Sequence, residues 1–170
     1  LSGQRPTSFV SIPDVFIINY DILWYWKSQL ARVKLKTIVF DESHKIKNKT
    51  AKRTKAAFSV AKGTPHILCL SGTPILSRPY EIYSSIRLIK PDLFPSFGEF
   101  ASRFCGMYWN SFKGAYDYTG ASNTKELHKI LTGSIMIRRT KVEVLKDLPA
   151  KRRMLVPLEL NNKAEYDAAF

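Results

Sequence analysis

The chain carries two adjacent carboxylates in a setting that α/β proteins use for chemistry on phosphates. Asp41 and Glu42 open the sequence Asp-Glu-Ser-His and follow residues 35–40, the last three of which are apolar and β-prone. Ligands of α/β folds bind just outside the carboxyl ends of parallel strands. One carboxylate of such a pair can hold a Mg²⁺ that neutralises phosphate charge, and its neighbour can orient or deprotonate a water molecule. The pattern therefore predicts half of a site for phosphoryl transfer.

A second apolar run ends in a turn that strengthens this prediction. Residues 66–70 are typical of a strand, and the sequence Ser-Gly-Thr-Pro follows at residues 71–74. Gly72 permits a tight backbone path, and Pro74 blocks further strand pairing. If both strands belong to one parallel sheet, their carboxyl ends meet at one edge. We therefore expect Asp41 and Glu42 to lie beside the residue 71–74 turn.

The elements that must position these motifs alternate between short strands and helices. An apolar run at residues 15–18 predicts a buried strand, and Asp21 is placed to cap the helix that follows it. That helix is expected to bury some of Leu23, Trp24, Trp26 and Leu30, and these two tryptophans are expected in the core rather than on a base-stacking surface. Three helices are predicted in this part of the chain, over residues 22–33, 50–61 and 79–89. This order predicts an α/β fold.

Composition favours a folded domain with a polyanionic partner. The chain has 170 residues, a hydrophobic fraction of 45% and a formal net charge of +13. Charge of that sign and size fits nucleic acid or an anionic membrane. No segment is long and apolar enough to span a bilayer, and no signal-peptide pattern is visible, so we expect no membrane partner. Cys69 and Cys105 are unclustered, which favours a reducing, intracellular compartment over a disulfide framework or a zinc site.

Much of the positive charge follows the acidic motif. No Asp or Glu occurs between residues 45 and 80. We predict a DNA-binding face there, because Lys and Arg gain affinity for DNA by releasing counterions from it. A solvated helix face without a ligand is the alternative, and surface charge is the alternative for a second basic block. The predicted nucleic-acid-binding residues of the two blocks are Lys45, Lys47, Lys49, Arg53, Arg138, Arg139 and Lys141.

The motifs together resemble the helicase-type ATPase engine of the Swi/Snf-related family, within helicase superfamily two. Residues 41–44 are similar to its second motif, DEAH, with Ser43 in place of Ala, and residues 71–74 match its third motif, SGTP. The resemblance continues through the block that includes residues 135–141. It covers almost the whole chain. Residues 120–123 and 126–128, together with Leu131, further resemble the annealing-helicase branch, which remodels stalled replication forks.

The resemblance implies roles for the motif residues. Asp41 would coordinate Mg²⁺ through water, and Glu42 would position and activate the attacking water. His44 would relay the nucleotide state toward the third motif. The implied coupling residues of that motif are Ser71, Gly72 and Thr73, and the implied cofactors are ATP and Mg²⁺. The alternatives are that the two acids cap a helix N terminus and that the turn simply ends a strand.

The resemblance also implies a domain organisation. Residues 1–96 would be the C-terminal half of a first RecA-like lobe, with a partial parallel sheet flanked by helices. Residues 97–134 would be a helical protrusion whose aromatic residues, Trp109, Phe112, Tyr116 and Tyr118, pack it on itself rather than touch a partner or DNA. Residues 135–170 would be a basic block and a crossover toward a second lobe, with a linking strand over residues 154–158. No G-x-x-x-x-G-K-[ST] loop occurs in the chain, so we expect the isolated chain to lack useful ATP hydrolysis.

These observations predict part of an ATP-dependent double-stranded-DNA translocase, or annealing helicase, that rewinds or remodels DNA. As a longer protein it would be an ATP hydrolase that binds duplex or forked DNA without sequence preference. It would be nuclear in a eukaryote and cytoplasmic in a prokaryote or virus. Two alternatives remain open. One is a nucleosome-remodelling ATPase of another branch, and the other is a non-enzymatic basic DNA-binding domain that retains an inactive motor fold.

Overall fold

The fold is described from a computed structural model of the chain. The structure describes residues 13–144, 147, 152–156, 163 and 166. Two compact units divide the chain, residues 1–137 and residues 138–170.

Two parallel strands form one sheet of the first unit. Strand β1 (Thr37–Phe40) pairs with β2 (His66–Cys69), and the register sets Phe40 opposite Cys69. Between them lie a short 3-10 helix (Ser43–Ile46) and helix α2 (Lys52–Ala61). Parallel neighbours need such a crossover, because a tight hairpin would reverse the chain. The predicted α/β fold with a parallel sheet is confirmed, and both strands end at the same edge.

Helix α1 (Tyr20–Leu30) precedes β1 and begins earlier than predicted. Its N-cap is Asn19, whose side-chain oxygen accepts a hydrogen bond from the backbone N–H of Asp21 at 3.1 Å. The prediction that Asp21 caps the helix was wrong, because Asn19 has the extended backbone that a cap requires. Asp21 lies instead in the first turn, where negative charge is favourable.

The first hydrophobic core lies between the sheet and helices α1 and α2. The predicted core positions of α1, Leu23, Trp26 and Leu30, are buried, and Trp24 is half-buried. Helix α2 contributes small side chains to the same core. The buried residues of this cluster are Leu23, Trp26, Leu30, Phe40, Ile46, Ala56, Ala57, Val60, Ala61 and Leu88.

The segment at residues 15–18 is not a strand, in contrast to the prediction. Phe16 and Ile18 pack against the first core, whereas Val15 and Ile17 are exposed. The segment thus presents alternate side chains to the core, as an extended chain does. An apolar extended run becomes a strand only when its backbone joins a ladder. Among the described residues, β1 pairs with β2, and no ladder includes residues 15–18.

A second hydrophobic core is built from the later helices. The predicted helix over residues 79–89 is present as a 3-10 turn (Pro79–Ile82) followed by α3 (Tyr83–Ile89). Helices α4 (Phe97–Phe104) and α5 (Thr124–Ser134) complete this layer. Its buried residues are Ile82, Ile86, Phe100, Ala101, Phe104, Cys105, Leu127 and Leu131.

A β-hairpin lies between α4 and α5, in the segment for which a helical protrusion was predicted. Strands β3 (Tyr108–Asn110) and β4 (Ala115–Asp117) pair antiparallel. Gly114 supplies a positive φ of 57° at the turn, which glycine adopts without steric cost. Of the four aromatic residues expected to pack internally, Tyr118 does so, whereas Trp109, Phe112 and Tyr116 are exposed.

Among the described residues of the second unit, helix α6 spans Lys141–Val144, and the isolated positions Lys163 and Tyr166 are also helical. The carboxylate of Glu143 accepts hydrogen bonds from the backbone N–H and the hydroxyl of Thr140, at 2.5 and 2.9 Å, in the manner of a capping box. The linking strand predicted over residues 154–158 is absent at residues 154–156, which are exposed and irregular, and positions 157 and 158 lie outside the described residues. Across the part of the chain that the structure describes, no helix has the length and apolarity to cross a membrane.

Candidate active site

The two motifs lie side by side at the carboxyl ends of the parallel strands. Asp41 directly follows β1, and the β1–β2 pairing continues beyond the strands through two backbone hydrogen bonds. The N–H of Leu70 donates to the carbonyl of Phe40, and the N–H of Ser43 donates to the carbonyl of Leu70, both at 2.9 Å. These bonds fix the acidic loop against the start of the Ser-Gly-Thr-Pro turn. The expected proximity of the two motifs is therefore confirmed.

His44 connects the two motifs through a single ring nitrogen. Its Nδ1 lies 3.1 Å from Oε2 of Glu42 and 3.3 Å from Oγ of Ser71. A protonated Nδ1 can donate to the carboxylate, whereas an unprotonated Nδ1 can only accept from the hydroxyl. The same Ser71 oxygen also accepts from the backbone N–H of Thr73 at 3.1 Å. The arrangement gives His44 two alternative partners, one in each motif.

Glu42 has an unusual backbone conformation. Its φ of 48° and ψ of 49° lie in the left-handed region, which costs a residue with a side chain about 1 kcal/mol or more. Oδ1 of Asp41 accepts the N–H of Glu42 at 2.9 Å and supports this turn. Ser43 is buried at the start of the 3-10 helix. Strained backbone conformations such as that of Glu42 cluster at functional sites.

Tyr20 supports the acidic loop, and its role was not predicted. Its hydroxyl donates to the backbone carbonyl of Asp41 at 2.7 Å, and its ring stacks on Phe40. Burial raises the pKa of Tyr20 far above its ordinary value of 10.0, and the acidic groups of Cys69, Asp41 and Glu42 raise it further. Tyr20 therefore remains a hydrogen-bond donor at any physiological pH. The available signal was the sequence Asn-Tyr-Asp at residues 19–21, directly after an apolar run.

Glu81 is a second residue that the sequence did not single out. Its side chain is 5% exposed and accepts hydrogen bonds from Nζ of Lys47 at 2.7 Å and from the backbone N–H groups of Leu76 and Ser77 at 2.8 and 3.0 Å. Burial alone would raise the pKa of Glu81, but the hydrogen bond from Lys47 and those from the two amides outweigh it, so the pKa lies below its ordinary value. Glu81 is thus an ionised carboxylate. It binds Lys47, which follows the Asp-Glu-Ser-His motif, and the backbone of Leu76 and Ser77, which follow the Ser-Gly-Thr-Pro turn.

The predicted DNA-binding residues differ in their surroundings. Lys45, Lys49 and Arg53 are exposed, and Nζ of Lys49 lies 4.2 Å above the ring of Phe97. Lys47 is instead engaged with Glu81, and its side chain is 34% exposed. Gly72 and Thr73 are exposed beside Ser71. In the second unit Arg138 and Arg139 are exposed, and the side chain of Lys141 lies outside the described part of the chain.

The donor set fits a magnesium ion that arrives with a nucleotide. Asp41 and Glu42 are both exposed at the edge of the sheet. Within the described residues, no group of three or more His, Cys, Asp or Glu side chains could hold a metal by itself. Mg²⁺ in phosphate sites is typically held by one or two carboxylates together with substrate oxygens and water. One exposed carboxylate at a strand end, with a second beside it, matches that requirement.

The structure defines a mixed α/β domain that is consistent with part of a RecA-like fold, with the candidate site at the carboxyl ends of parallel strands. The chain belongs to the SNF2-related domain family, whose model matches residues 4–166. The predicted membership of the Swi/Snf-related family is therefore confirmed.

Several relatives show the same relationship. The protein of Caenorhabditis elegans named SWI/SNF-related matrix-associated actin-dependent regulator of chromatin subfamily A-like protein 1 homolog is 44% identical over 142 residues, which cover 84% of this chain and 20% of that protein. Its counterpart in Xenopus laevis is 44% identical over 143 residues, covering 82% of this chain and 14% of that protein. The DNA annealing helicase and endonuclease ZRANB3 of Bos taurus is 37% identical over 178 residues, covering 100% of this chain and 16% of that protein. The chain therefore spans a fifth or less of the length of these relatives.

Proposed function

We propose that the chain is part of an ATP-dependent double-stranded-DNA translocase that rewinds or remodels DNA. The observation that carries this proposal is the contact of His44 with both Glu42 and Ser71, which joins the acidic motif to the turn after the neighbouring strand. The names of the relatives, which include a DNA annealing helicase, support the same function. Sequence-independent binding to duplex or forked DNA follows from it, as does a nuclear location in a eukaryote.

The acidic motif supplies the chemistry of hydrolysis. Mg²⁺, when bound with ATP, neutralises the charge that develops on the transferred phosphoryl group. The carboxylate of Asp41 would hold the ion, and the carboxylate of Glu42 would orient the attacking water and accept its proton. The backbone turn at Glu42 and the hydrogen bond from Tyr20 to the Asp41 carbonyl set the direction of both side chains.

His44 couples this chemistry to the Ser-Gly-Thr-Pro turn. While Nδ1 donates to Glu42, it cannot accept the hydroxyl proton of Ser71. A change in the charge around Glu42 during hydrolysis therefore shifts His44 toward Ser71. Because Ser71 also holds the N–H of Thr73, the shift reaches the exposed backbone of the turn. Gly72 and Thr73 then transmit it toward the DNA-binding surface.

The basic residues after the acidic motif contact the DNA backbone. Lys45, Lys49 and Arg53 have exposed side chains and suit sequence-independent phosphate contacts. Lys47 contributes chiefly through its ion pair with Glu81. Arg138, Arg139 and Lys141 form a second basic set in the other unit.

The test uses the full-length protein that contains this chain, with ATP hydrolysis measured with and without duplex DNA. We expect DNA to stimulate hydrolysis, and Glu42→Gln to lower the stimulated rate by about 10²–10⁴-fold, as is typical for loss of a general base. Glu99→Gln, which changes an exposed acid on α4, is the matched control and should leave the rate unchanged. DNA binding without hydrolysis in the unmodified protein would favour the non-enzymatic alternative, and stimulation by nucleosomes far above that by free DNA would favour the nucleosome remodeller.

A further inference from the structure

The peptide group between Asp41 and Glu42 is held by side chains at both of its polar atoms. Its carbonyl oxygen, which belongs to Asp41, accepts the hydroxyl of Tyr20 at 2.7 Å. Its N–H, which belongs to Glu42, donates to Oδ1 of Asp41 at 2.9 Å. The second of these contacts lies within the acidic motif, whereas the first comes from another element of the fold, helix α1. Because this peptide group links the two carboxylates, its orientation affects the direction of both.

The orientation of this peptide group is tied to the backbone conformation of Glu42. The φ angle of Glu42 describes the rotation between its Cα and the preceding peptide group, and its value of 48° is left-handed. An L-residue relaxes from that region to negative φ when its surroundings do not hold it. Such a rotation would carry the Asp41 carbonyl away from the hydroxyl of Tyr20. The hydrogen bond from Tyr20 therefore opposes the relaxation of Glu42.

Helix α1 holds the hydroxyl of Tyr20 in a fixed position. Tyr20 is the first residue of the helix, and Leu23 and Trp26 bury the same helix in the first core. The half-buried ring of Tyr20 stacks on Phe40, with ring centroids 6.5 Å apart and planes at 15°. Burial is the main cause that raises the pKa of Tyr20 above its ordinary value, so the hydroxyl keeps its proton. A donor on a packed element can restrain the loop that it contacts.

The side chain that follows this peptide group is the one that reaches His44. Oε2 of Glu42 lies 3.1 Å from Nδ1 of His44, and the same nitrogen lies 3.3 Å from Oγ of Ser71. A rotation of the preceding peptide group would redirect the carboxylate of Glu42 away from this nitrogen. The hydroxyl of Tyr20 is thus connected, through the backbone, to the group that the proposed hydrolysis needs as a base.

We propose that Tyr20 is a positioning residue for ATP hydrolysis, which holds the peptide group between Asp41 and Glu42 and thereby directs the Glu42 carboxylate at the attacking water. Tyr20 acts through the backbone, because its hydroxyl is engaged by the Asp41 carbonyl. This inference rests on the proposed function. It also separates Tyr20 from Ser71: Tyr20 supports the base itself, so its loss affects hydrolysis with and without DNA alike.

The test measures ATP hydrolysis by the full-length protein, with saturating duplex DNA and without DNA. Tyr20→Phe removes the hydroxyl and keeps the ring that stacks on Phe40. We expect kcat to fall by about 10- to 100-fold in both conditions, as is typical of a displaced catalytic group. KM for ATP should change by less than about twofold, because the attacking water is activated in the transition state. Tyr25→Phe, the same chemical change at an exposed tyrosine of α1, is the matched control and should alter neither constant.

The Glu42→Gln background distinguishes positioning from general support of the fold. If Tyr20 acts through Glu42, adding Tyr20→Phe should lower the residual single-turnover rate of Glu42→Gln by less than about twofold. This comparison remains decisive if Tyr20→Phe also lowers stability, because a structural loss would appear in both backgrounds. An equal loss in the two backgrounds, an unchanged kcat in Tyr20→Phe, or a rise in KM alone would overturn the role of Tyr20. Absence of hydrolysis in the unmodified protein would instead overturn the proposed function, and this inference with it.

Discussion

Nζ of Lys47 lies 2.7 Å from Oε1 of the buried Glu81, and this pair joins the segments that follow the two motifs. Lys47 belongs to the chain leaving the Asp-Glu-Ser-His motif. The other carboxylate oxygen of Glu81 binds the N–H groups of Leu76 and Ser77, just after the Ser-Gly-Thr-Pro turn. The hydroxyl of Ser84 adds a hydrogen bond to the carbonyl of Lys47 at 3.2 Å. The two motifs are thus held together in two ways. Their preceding strands, β1 and β2, are paired, and the carboxylate of Glu81 binds the segments that follow both motifs.

Glu81→Gln should destabilise the fold. The change removes the charge that pairs with Lys47 and leaves a nearly buried site imperfectly satisfied, so the free energy of unfolding should fall by about 1–3 kcal/mol. Chemical denaturation followed by circular dichroism measures it. Glu99→Gln changes an exposed acid of the same unit and should have an effect within about 0.5 kcal/mol. An equal fall in the free energy of unfolding in the two variants would show that the contacts of Glu81 do not stabilise the fold more than an exposed acid does.

The contribution of Glu81 should depend on pH in a defined direction. Its pKa in the folded chain lies below its ordinary value of 4.5. A carboxylate with a lowered folded pKa stabilises the fold above the unfolded pKa and loses that effect as the pH falls through the folded pKa. The stability difference between the unmodified protein and Glu81→Gln should be constant near neutral pH and shrink below about pH 4.5. A difference that grew on acidification would contradict the assigned ionisation.

Ser71→Ala should uncouple DNA from hydrolysis in the full-length protein. The change removes the partner of His44 in the third motif but leaves Asp41 and Glu42 intact. We expect the rate without DNA to be retained and the DNA-stimulated rate to fall about three- to tenfold, which corresponds to one ordinary hydrogen bond. Ser77→Ala is the control, since Ser77 contacts Glu81 through its backbone N–H. A parallel loss of both rates in Ser71→Ala would argue for a purely structural role.

Lys45 and Lys47 should behave differently although they are separated by one residue. Lys45→Ala should reduce the slope of log affinity for duplex DNA against log salt by about 0.9, the value for one lost phosphate contact. Lys47→Ala should instead lower the free energy of unfolding, because it removes the partner of Glu81. Salt titrations of DNA binding and denaturation curves on both variants separate the two effects. Identical behaviour of the two variants would refute this assignment.

The central site could be predicted because its residues lie in short contiguous motifs. An apolar run before Asp41 and another before Ser71 were sufficient to place both motifs at one sheet edge. Glu81 could not be found in this way, because it pairs with a residue 34 positions away and looks like any acid in an early helical turn. Tyr20 was missed for a related reason, since its partner is a backbone carbonyl 21 positions away.

The wrong local predictions have physical causes. Asn19 and Asp21 are both good capping residues, and only the backbone angles decide between them. The apolar run at residues 15–18 indicates an extended chain, but it contains no information about a partner strand. The hairpin was missed because β3 and β4 have three residues each, too few for a periodic pattern.

Because the backbone of Glu42 is left-handed, the orientation of its carboxylate depends on the pairing of strands β1 and β2. An L-residue stays in that conformation only while its neighbours hold it, and here the restraints are the Asp41 side chain and the Ser43–Leu70 hydrogen bond. Loosening the β1–β2 register would let the residue relax and turn its side chain away. Substitutions in β1 or β2 that weaken their pairing should therefore disturb the orientation of Glu42, although those strands do not themselves carry the acidic motif.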